Sequence, residues 1–259
     1  MEGNIPKMLK YIIMQAYILL GGLGTRMRPL TNIVPKPLLP LAGKPFLWYQ
    51  LKLLALHNVK HVVLGLGYAA QKFEKELESI KMQGLGDLKI EVVIEKEPLG
   101  TGGAIALASP FLTQPTFIFN GDVLTDLDLS AMAEFHNKNR AAVTIAVTFI
   151  PHPKRYGLVF FEKDCRVKEF KEKPGEVPRK GWINAGVYLF EPGIIGQIPK
   201  GKPYSLERNL FPSLLKEREP LFAYLHSGYW LDIGTLHAYL QAKADIKDGR
   251  FAFQPVSGV

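Results

Sequence analysis

The chain has 259 residues, room for one large domain or two small ones at about 150 residues each. Hydrophobic residues make up 47% and charged residues 22%, values of a globular protein that exclude a wholly disordered chain. Thirty-two basic residues against 24 acidic ones leave a formal charge of +8, which favours anionic partners without choosing among nucleotides, sugar phosphates, nucleic acid and an acidic membrane surface. The single cysteine, Cys165, excludes an internal disulfide, a cysteine zinc cluster and a CxxC redox site, and it fits a reducing, cytoplasmic setting. No apolar run reaches the roughly 18 residues of a membrane span. Residues 1–13 are basic with a short apolar patch and lack a small-residue cleavage site, so they read as an N-terminal extension rather than a signal peptide.

In chain order, strand-length apolar runs occupy residues 17–20, 62–66, 90–94, 116–119 and 143–149. Between them, residues 46–56 carry Leu47, Leu51, Leu54 and Ala55 at helical spacing, and residues 69–80, 101–108 and 129–139 also read as helices. Continuously apolar strands alternating with helices predict an α/β fold with a mostly parallel sheet. Such sheets bind ligands beyond the carboxyl ends of their strands, near the point where the strand order reverses. From about residue 151 the rhythm changes. Short strands at 157–161, 167–170 and 186–190 are separated by Pro, Gly and charge, which predicts an antiparallel insertion or lid. Residues 205–216 read as a helix, 221–226 as a strand and 236–247 as a final helix, while 251–259 show no pattern. No linker, repeat or low-complexity stretch intervenes, so residues 14–250 read as one domain.

After the first strand comes Leu20-Gly21-Gly22-Leu23-Gly24-Thr25-Arg26-Met27-Arg28. Three glycines in four positions let backbone N–H groups approach phosphate oxygens without Cβ clashes, and Arg26 and Arg28 add charge-assisted contacts. The spacing is neither the dinucleotide GxGxxG nor the P-loop GxxxxGKS/T. Downstream, Pro35-Lys36-Pro37 places a lysine in a proline-stiffened segment, a costly way to present a merely solvated charge. Asp126-Leu127-Asp128 spells DxD, but Asp128 stands just before a predicted helix and reads as its cap. None of the six histidines forms HxxxH or HExxH, so zinc catalysis has no support. No basic run with interleaved aromatics points to nucleic acid.

The combination GGLGTRMRPLT followed by PKPLLPLAGKP resembles the signature of the sugar-1-phosphate nucleotidylyltransferases, and the resemblance runs from about residue 14 to about residue 246. It implies a Rossmann-like three-layer α/β sandwich with a mostly parallel mixed sheet. The nucleotide-binding half would be about 14–150, and a β-rich sugar-binding elaboration about 151–250. It also implies the reaction, in which a sugar 1-phosphate attacks the α-phosphate of a nucleoside triphosphate and pyrophosphate leaves. By resemblance, Arg26, Lys36 and Asp122 are catalytic. Leu20, Gly21, Gly22, Gly24, Thr25, Arg26, Glu95, Gly100 and Thr101 bind the nucleotide. Leu20 departs from the Ala usual before the glycines, which bears on packing beside the nucleotide. Asp122, in Asn120-Gly121-Asp122, and Asp232, in Trp230-Leu231-Asp232-Ile233-Gly234-Thr235, match the family's Mg²⁺ carboxylates, and hard Mg²⁺ suits a site with few protein ligands completed by phosphates.

On the sugar side, Gly157, Glu172, Lys173 and Asn184 match residues that bind the sugar phosphate, and residues 204–207 and 224–229 frame the mouth. EPLGTGGA, INAGVYLF and WLDIGT look most like the mannose-1-phosphate guanylyltransferase group. That likeness implies GTP with mannose 1-phosphate or a manno-heptose 1-phosphate. Glu95 is the expected guanine acceptor, because a carboxylate can accept from both N1–H and N2–H. Glucose-1-phosphate thymidylyl- or uridylyltransfer is the alternative, and a non-catalytic sensing homologue the alternative of another class. The resemblance leaves a homo-oligomer open, and the length predicts no appended β-helix acyltransferase module.

Overall fold

The computed structural model describes residues 14–22, 24–67 and 70–254. The extension expected at 1–13 and the end of the tail, 255–259, lie outside them. The first half runs β1 (Gln15–Leu20), α1 (Leu30–Ile33), a small hairpin of β2 (Pro40–Leu41) and β3 (Lys44–Pro45), α2 (Phe46–Leu56), β4 (His61–Leu66), α3 (Ala70–Lys81), β5 (Lys89–Ile94), α4 (Gly100–Ala108), β6 (Thr116–Asn120), β7 (Val123–Thr125), α5 (Leu129–Lys138) and β8 (Val143–Pro151). The second half runs β9 (Leu158–Phe161), β10 (Val167–Lys171), β11 (Lys180–Phe190), α6 (Pro192–Gln197), a π-helical turn at Leu206–Leu210 continuing into α7 (Phe211–Lys216), β12 (Leu221–His226), β13 (Trp230–Asp232) and α8 (Leu236–Lys247).

β1 pairs in parallel with β4 on one side and β6 on the other, and β4 pairs in parallel with β5. The chain thus builds outward from β1 to β5 and then returns to the far side of β1 with β6. That reversal is the switch point at which the carboxyl ends of adjacent strands diverge and leave a crevice. The strands expected as an antiparallel insertion or lid are antiparallel and extend this same sheet. β11 runs antiparallel to β6 and then to β8 and β9, β10 closes on β9, and β12 pairs in parallel with β8. The cause is the length of β11. Its apolar end, Val187–Phe190, pairs with β6, while its polar beginning, which reads locally as a turn, pairs with β8 and β9 across a bulge between Asn184 and Tyr188.

Alternation along the strands sorts the core into two layers. Ala16, Ile18, Leu64 and Phe119 face α2, α3 and α5, packing with Leu47, Leu51, Leu77 and Met132. Tyr17, Val63, Ile118 and Tyr188 face α4, α6 and α7, packing with Ile105, Ile195, Phe211 and Leu214. The result is a three-layer α/β/α sandwich around a mixed sheet. A third, smaller core lies under the crevice. Met27, Leu39, Leu41, Phe46, Leu124, Ile233, Tyr239 and Phe251 bring together the glycine-loop segment, the hairpin, β7, β13, α8 and the tail. Phe251 and Phe253, which carry no readable pattern, cluster with Tyr49 of α2. Among the described residues no helix is long and apolar enough to cross a membrane.

Candidate functional site

An open cleft of about 460 Å³ lies at the switch point, a size suited to a small ligand. Its floor is the ends of β1 and β6, which are neighbours in register, Leu19 opposite Asn120. Its walls include Gly21, Gly22, Gly24, Thr25 and Arg26 after β1, Lys36, Glu95, Gly100 and Thr101, and Asp122 and Gly234. Residues from five separate stretches of sequence therefore meet in one place.

Local chemistry explains how each arrives. Gly24 has a left-handed backbone (φ 61°) that turns the chain into a single helical turn, Thr25–Met27, and its carbonyl accepts from the Thr31 hydroxyl at 2.9 Å. Met27 is buried in the small core, which leaves its neighbour Arg26 exposed at the cleft. Lys36–Leu38 forms another single turn whose Pro37 and Leu38 are buried, so Lys36 stands directly before an anchored pair. Gly121 is required by crowding. A Cβ there would lie 2.3 Å from the Leu19 carbonyl oxygen and 2.5 Å from a Leu20 methyl. The bulky Leu20 thus packs over Gly121, and both line the cleft.

Asp122 and Asp232 converge because β7 and β13 form a two-stranded antiparallel ribbon in which Asp232 faces Val123. The Ile233 N–H donates to the Asp122 carbonyl at 2.9 Å, locking the two turns together. Burial and the nearby Asp122 charge push the Asp232 carboxyl above the usual carboxylate range, and Lys36, the Gly234 N–H and Arg26 pull the other way. Lys36 Nζ lies 2.8 Å from Asp122 Oδ2. Gly234 donates its N–H to Asp232 at 2.7 Å, and a Cβ on it would meet the Arg26 guanidinium at 2.8 Å. Two carboxylates and two cations thus share a few ångströms of the cleft.

The base side is equally specific. Glu95 follows β5, and burial holds its carboxyl above the ordinary range against a weak donation from the Leu99 N–H. Gly21 must be glycine for Glu95 to sit there, since a Cβ would stand 2.7 Å from Glu95 Oε1. Gly100 is left-handed (φ 70°), and the start of α4 is clamped by the Tyr204 carbonyl, which accepts from the N–H groups of Gly102 and Gly103 at 2.8 and 3.1 Å. The Thr101 hydroxyl is engaged within the protein, donating to Glu207 and accepting from the Leu206 N–H. Thr101 therefore faces the cleft without a free hydroxyl donor.

The remaining expected residues form a second cluster. The Gly157 carbonyl accepts from the Asn184 N–H at 2.9 Å, and a Cβ on Gly157 would lie 3.0 Å from Glu172 Oε2. The Asn184 side chain spans the β11 bulge, donating to the Tyr188 hydroxyl and accepting from the Gly186 N–H. Lys173 is mostly exposed and pairs with Glu172 at 3.1 Å. This cluster reaches the cleft through Asn120, against which Gly186 packs. Residues 204–207 do border the cleft loop, but 224–229 do not frame it. Tyr224 packs on Phe135, the Tyr229 hydroxyl donates to Asp245, and His226 contacts Thr125 and the Tyr229 carbonyl within the structure. Asp128 caps α5 by accepting from the Ala131 N–H at 2.9 Å. Arg28 is exposed and is not among the described residues lining the cleft.

Motif reading missed Tyr156. Its phenol faces Asp232, Asp122 and Arg26, burial pushes its pKa up, and its ring packs edge-on against Trp230 at 5.3 Å. Nothing local to Tyr156 reports that the β7–β13 ribbon lies opposite.

A switch-point crevice holding a glycine loop, cations and a facing carboxylate pair defines a class of protein, the open α/β folds whose ligand site lies beyond the strand ends. The particular family is set by comparison. Residues 15–249 match the family model described as nucleotidyl transferase, and the chain belongs to that family. It is 42% identical over 236 residues to a mannose-1-phosphate guanylyltransferase of Mycobacterium tuberculosis, covering 90% of this chain and 65% of that protein. It is also 42% identical over 231 residues to a mannose-1-phosphate guanylyltransferase catalytic subunit beta of Danio rerio, covering 88% and 63%. The chain thus spans a little under two thirds of these relatives. Among solved structures, HddC from Yersinia pseudotuberculosis superposes with a TM-score of 0.76 at 29% identity, over 90% of this chain and 99% of that one. HddC has also been solved complexed with GMP-PN. A Bacillus anthracis structure at 21% identity, TM-score 0.80, shares the fold.

Proposed function

We propose that this chain transfers a nucleotidyl group from a nucleoside triphosphate to a sugar 1-phosphate, releasing pyrophosphate. The observation that carries the reading is the gathering of Arg26, Lys36 and Asp122 on the cleft walled by the glycine loop, with Asp232 beside Asp122. A phosphate oxygen of the sugar 1-phosphate forms a bond to the α-phosphorus. The bond from that phosphorus to the bridging oxygen breaks, and its electron pair leaves with pyrophosphate. Two anions must meet in line, so positioning and positive charge do most of the catalysis. The glycine-loop N–H groups hold the triphosphate, Arg26 meets charge on the α-phosphate and the leaving group, and Lys36 draws the two phosphates together.

The carboxylate pair fits Mg²⁺. Burial and then the neighbouring Asp122 charge hold Asp232 partly against ionisation, and a hard divalent cation held by the pair would offset that like-charge repulsion. When bound there, Mg²⁺ supplies charge neutralisation to the phosphates. Asp122 and Asp232 are its protein ligands in this reading.

For the base, the half-buried Glu95 beside Gly21 favours guanine, whose adjacent N1–H and N2–H match one carboxylate, and the guanylyltransferase relatives support that choice. The same relatives, with Glu172 and Asn184 gathered around Gly157, favour mannose 1-phosphate or a manno-heptose 1-phosphate. The test is pyrophosphate release with each nucleoside triphosphate against a panel of sugar 1-phosphates, where turnover with GTP is expected to exceed that with UTP and dTTP.

A further inference from the structure

Gln50 stands on α2, away from the cleft walls, and is buried to 2% exposure. Its Nε2 donates to the Asn120 carbonyl at 2.9 Å and to the Val123 carbonyl at 3.1 Å. These two carbonyls bracket the Gly121-Asp122 turn, the point where β6 ends and β7 begins. One side-chain amide therefore ties both ends of the segment carrying Asp122 to a single helix. That helix is docked in turn on the Lys36 segment, through the Phe46 N–H donating to the Leu39 carbonyl at 3.0 Å.

Stability does not account for this residue by itself. Gln50 Oε1 is buried with no hydrogen-bond partner, a desolvation cost that an apolar side chain of the same shape would not carry. The orientation of the amide is set by its surroundings, because the two neighbouring oxygens are carbonyls that only accept.

We infer that Gln50 is a positioning residue that fixes the Asp122 carboxylate against Asp232 and Lys36, and so sets the affinity of the carboxylate pair for a divalent cation. The inference rests on the metal role proposed for that pair. Removing the amide frees the turn to shift relative to β13, where the Ile233 N–H meets the Asp122 carbonyl. The site then loses geometry rather than charge.

The experiment compares the wild-type chain with Gln50→Met, which keeps the volume and removes the donor, and with Leu54→Val, a buried α2 change that touches neither carbonyl. Mn²⁺ binding is followed by electron paramagnetic resonance with and without GTP, beside kcat, KM and the unfolding midpoint. Gln50→Met is expected to weaken Mn²⁺ binding by about 10–100-fold and to lower kcat with little change in KM for the sugar phosphate. Leu54→Val is expected to lower the midpoint without moving Mn²⁺ affinity. Equal Mn²⁺ affinity in Gln50→Met and wild type would overturn the inference while leaving the transferase reading intact. A wild-type chain that neither binds Mn²⁺ nor releases pyrophosphate would overturn both. If Gln50→Met does not fold, Gln50→His is read instead: its neutral ring has one N–H and can reach only one of the two carbonyls, so weaker Mn²⁺ binding is expected, and wild-type affinity in the folded protein would overturn the inference.

Discussion

At the scale of the residue, charge placement dominates. Lys36 and Asp122 form an ion pair at 2.8 Å in which the lysine is 10% exposed and the aspartate 28%. The pair is organised before substrate arrives, so truncation removes preformed electrostatic stabilisation rather than a mobile contact. Lys36→Ala and Asp122→Asn are each expected to cut kcat by about 100-fold or more, with circular dichroism and the unfolding midpoint close to wild type. Near-normal turnover in both would remove the catalytic roles assigned here. Glu95 offers a finer test, because Gln keeps its shape but presents only one acceptor oxygen and an N–H₂ to the base. Glu95→Gln should narrow the preference for GTP over UTP and dTTP, measured as the ratio of kcat/KM values. An unchanged ratio would show that Glu95 does not read the base.

At the scale of the element, the turns matter more than the strands that carry them. Gly121→Ala would force a methyl to 2.3 Å from the Leu19 carbonyl oxygen, moving the Asp122 turn away from β1. A stability loss of about 1–3 kcal/mol in urea unfolding is expected, with a larger proportional loss of turnover. What the sequence discloses at this scale depends on where the signal lies. β12 and α8 are read to the residue because continuous apolar or periodic runs bound them. The glycine loop, Lys36 and the two aspartates are readable because their chemistry is concentrated in short strings. The first six residues of β11 are not, since Lys180, Gly181 and Asn184 look like a turn and become strand only when β8 and β9 supply partners. The β7–β13 ribbon is likewise invisible, as its two strands of three residues stand more than a hundred positions apart. Tyr156 lies opposite that ribbon and Gln50 reaches the Asp122 turn from α2, contacts between distant stretches that no local pattern reveals.

At the scale of the whole molecule, the net charge of +8 is mostly surface, and only a few cations line the cleft. Two buried histidines tie stability to pH. His136, held between Thr144 and Glu191, and His57, beside Ser130 and Asp128, both have pKa values lowered by burial, which outweighs the neighbouring carboxylates. A lowered folded pKa means that the unfolded chain takes up the proton first. Their contribution is therefore fully present above the ordinary histidine value of about 6.5 and is lost as pH falls below it. Each proton taken up costs at most about 1.4 kcal/mol per pH unit, so urea midpoints at pH 7.5 should exceed those at pH 5.5. Replacing both histidines with Gln should flatten that difference, and an unchanged difference would assign it to other groups.

The family, the cleft and its charges meet in one claim, that a sugar 1-phosphate displaces pyrophosphate from a nucleoside triphosphate at Arg26, Lys36 and the Asp122–Asp232 pair. Pyrophosphate release by the purified chain, with GTP, UTP and dTTP each offered with mannose 1-phosphate, a manno-heptose 1-phosphate and glucose 1-phosphate in the presence of Mg²⁺, tests it most directly. Release is expected to require both substrates, to be greatest with GTP and a manno-configured sugar, and to fall by about 100-fold or more in Asp122→Asn. No release from any pair, or undiminished release by Asp122→Asn, would contradict it.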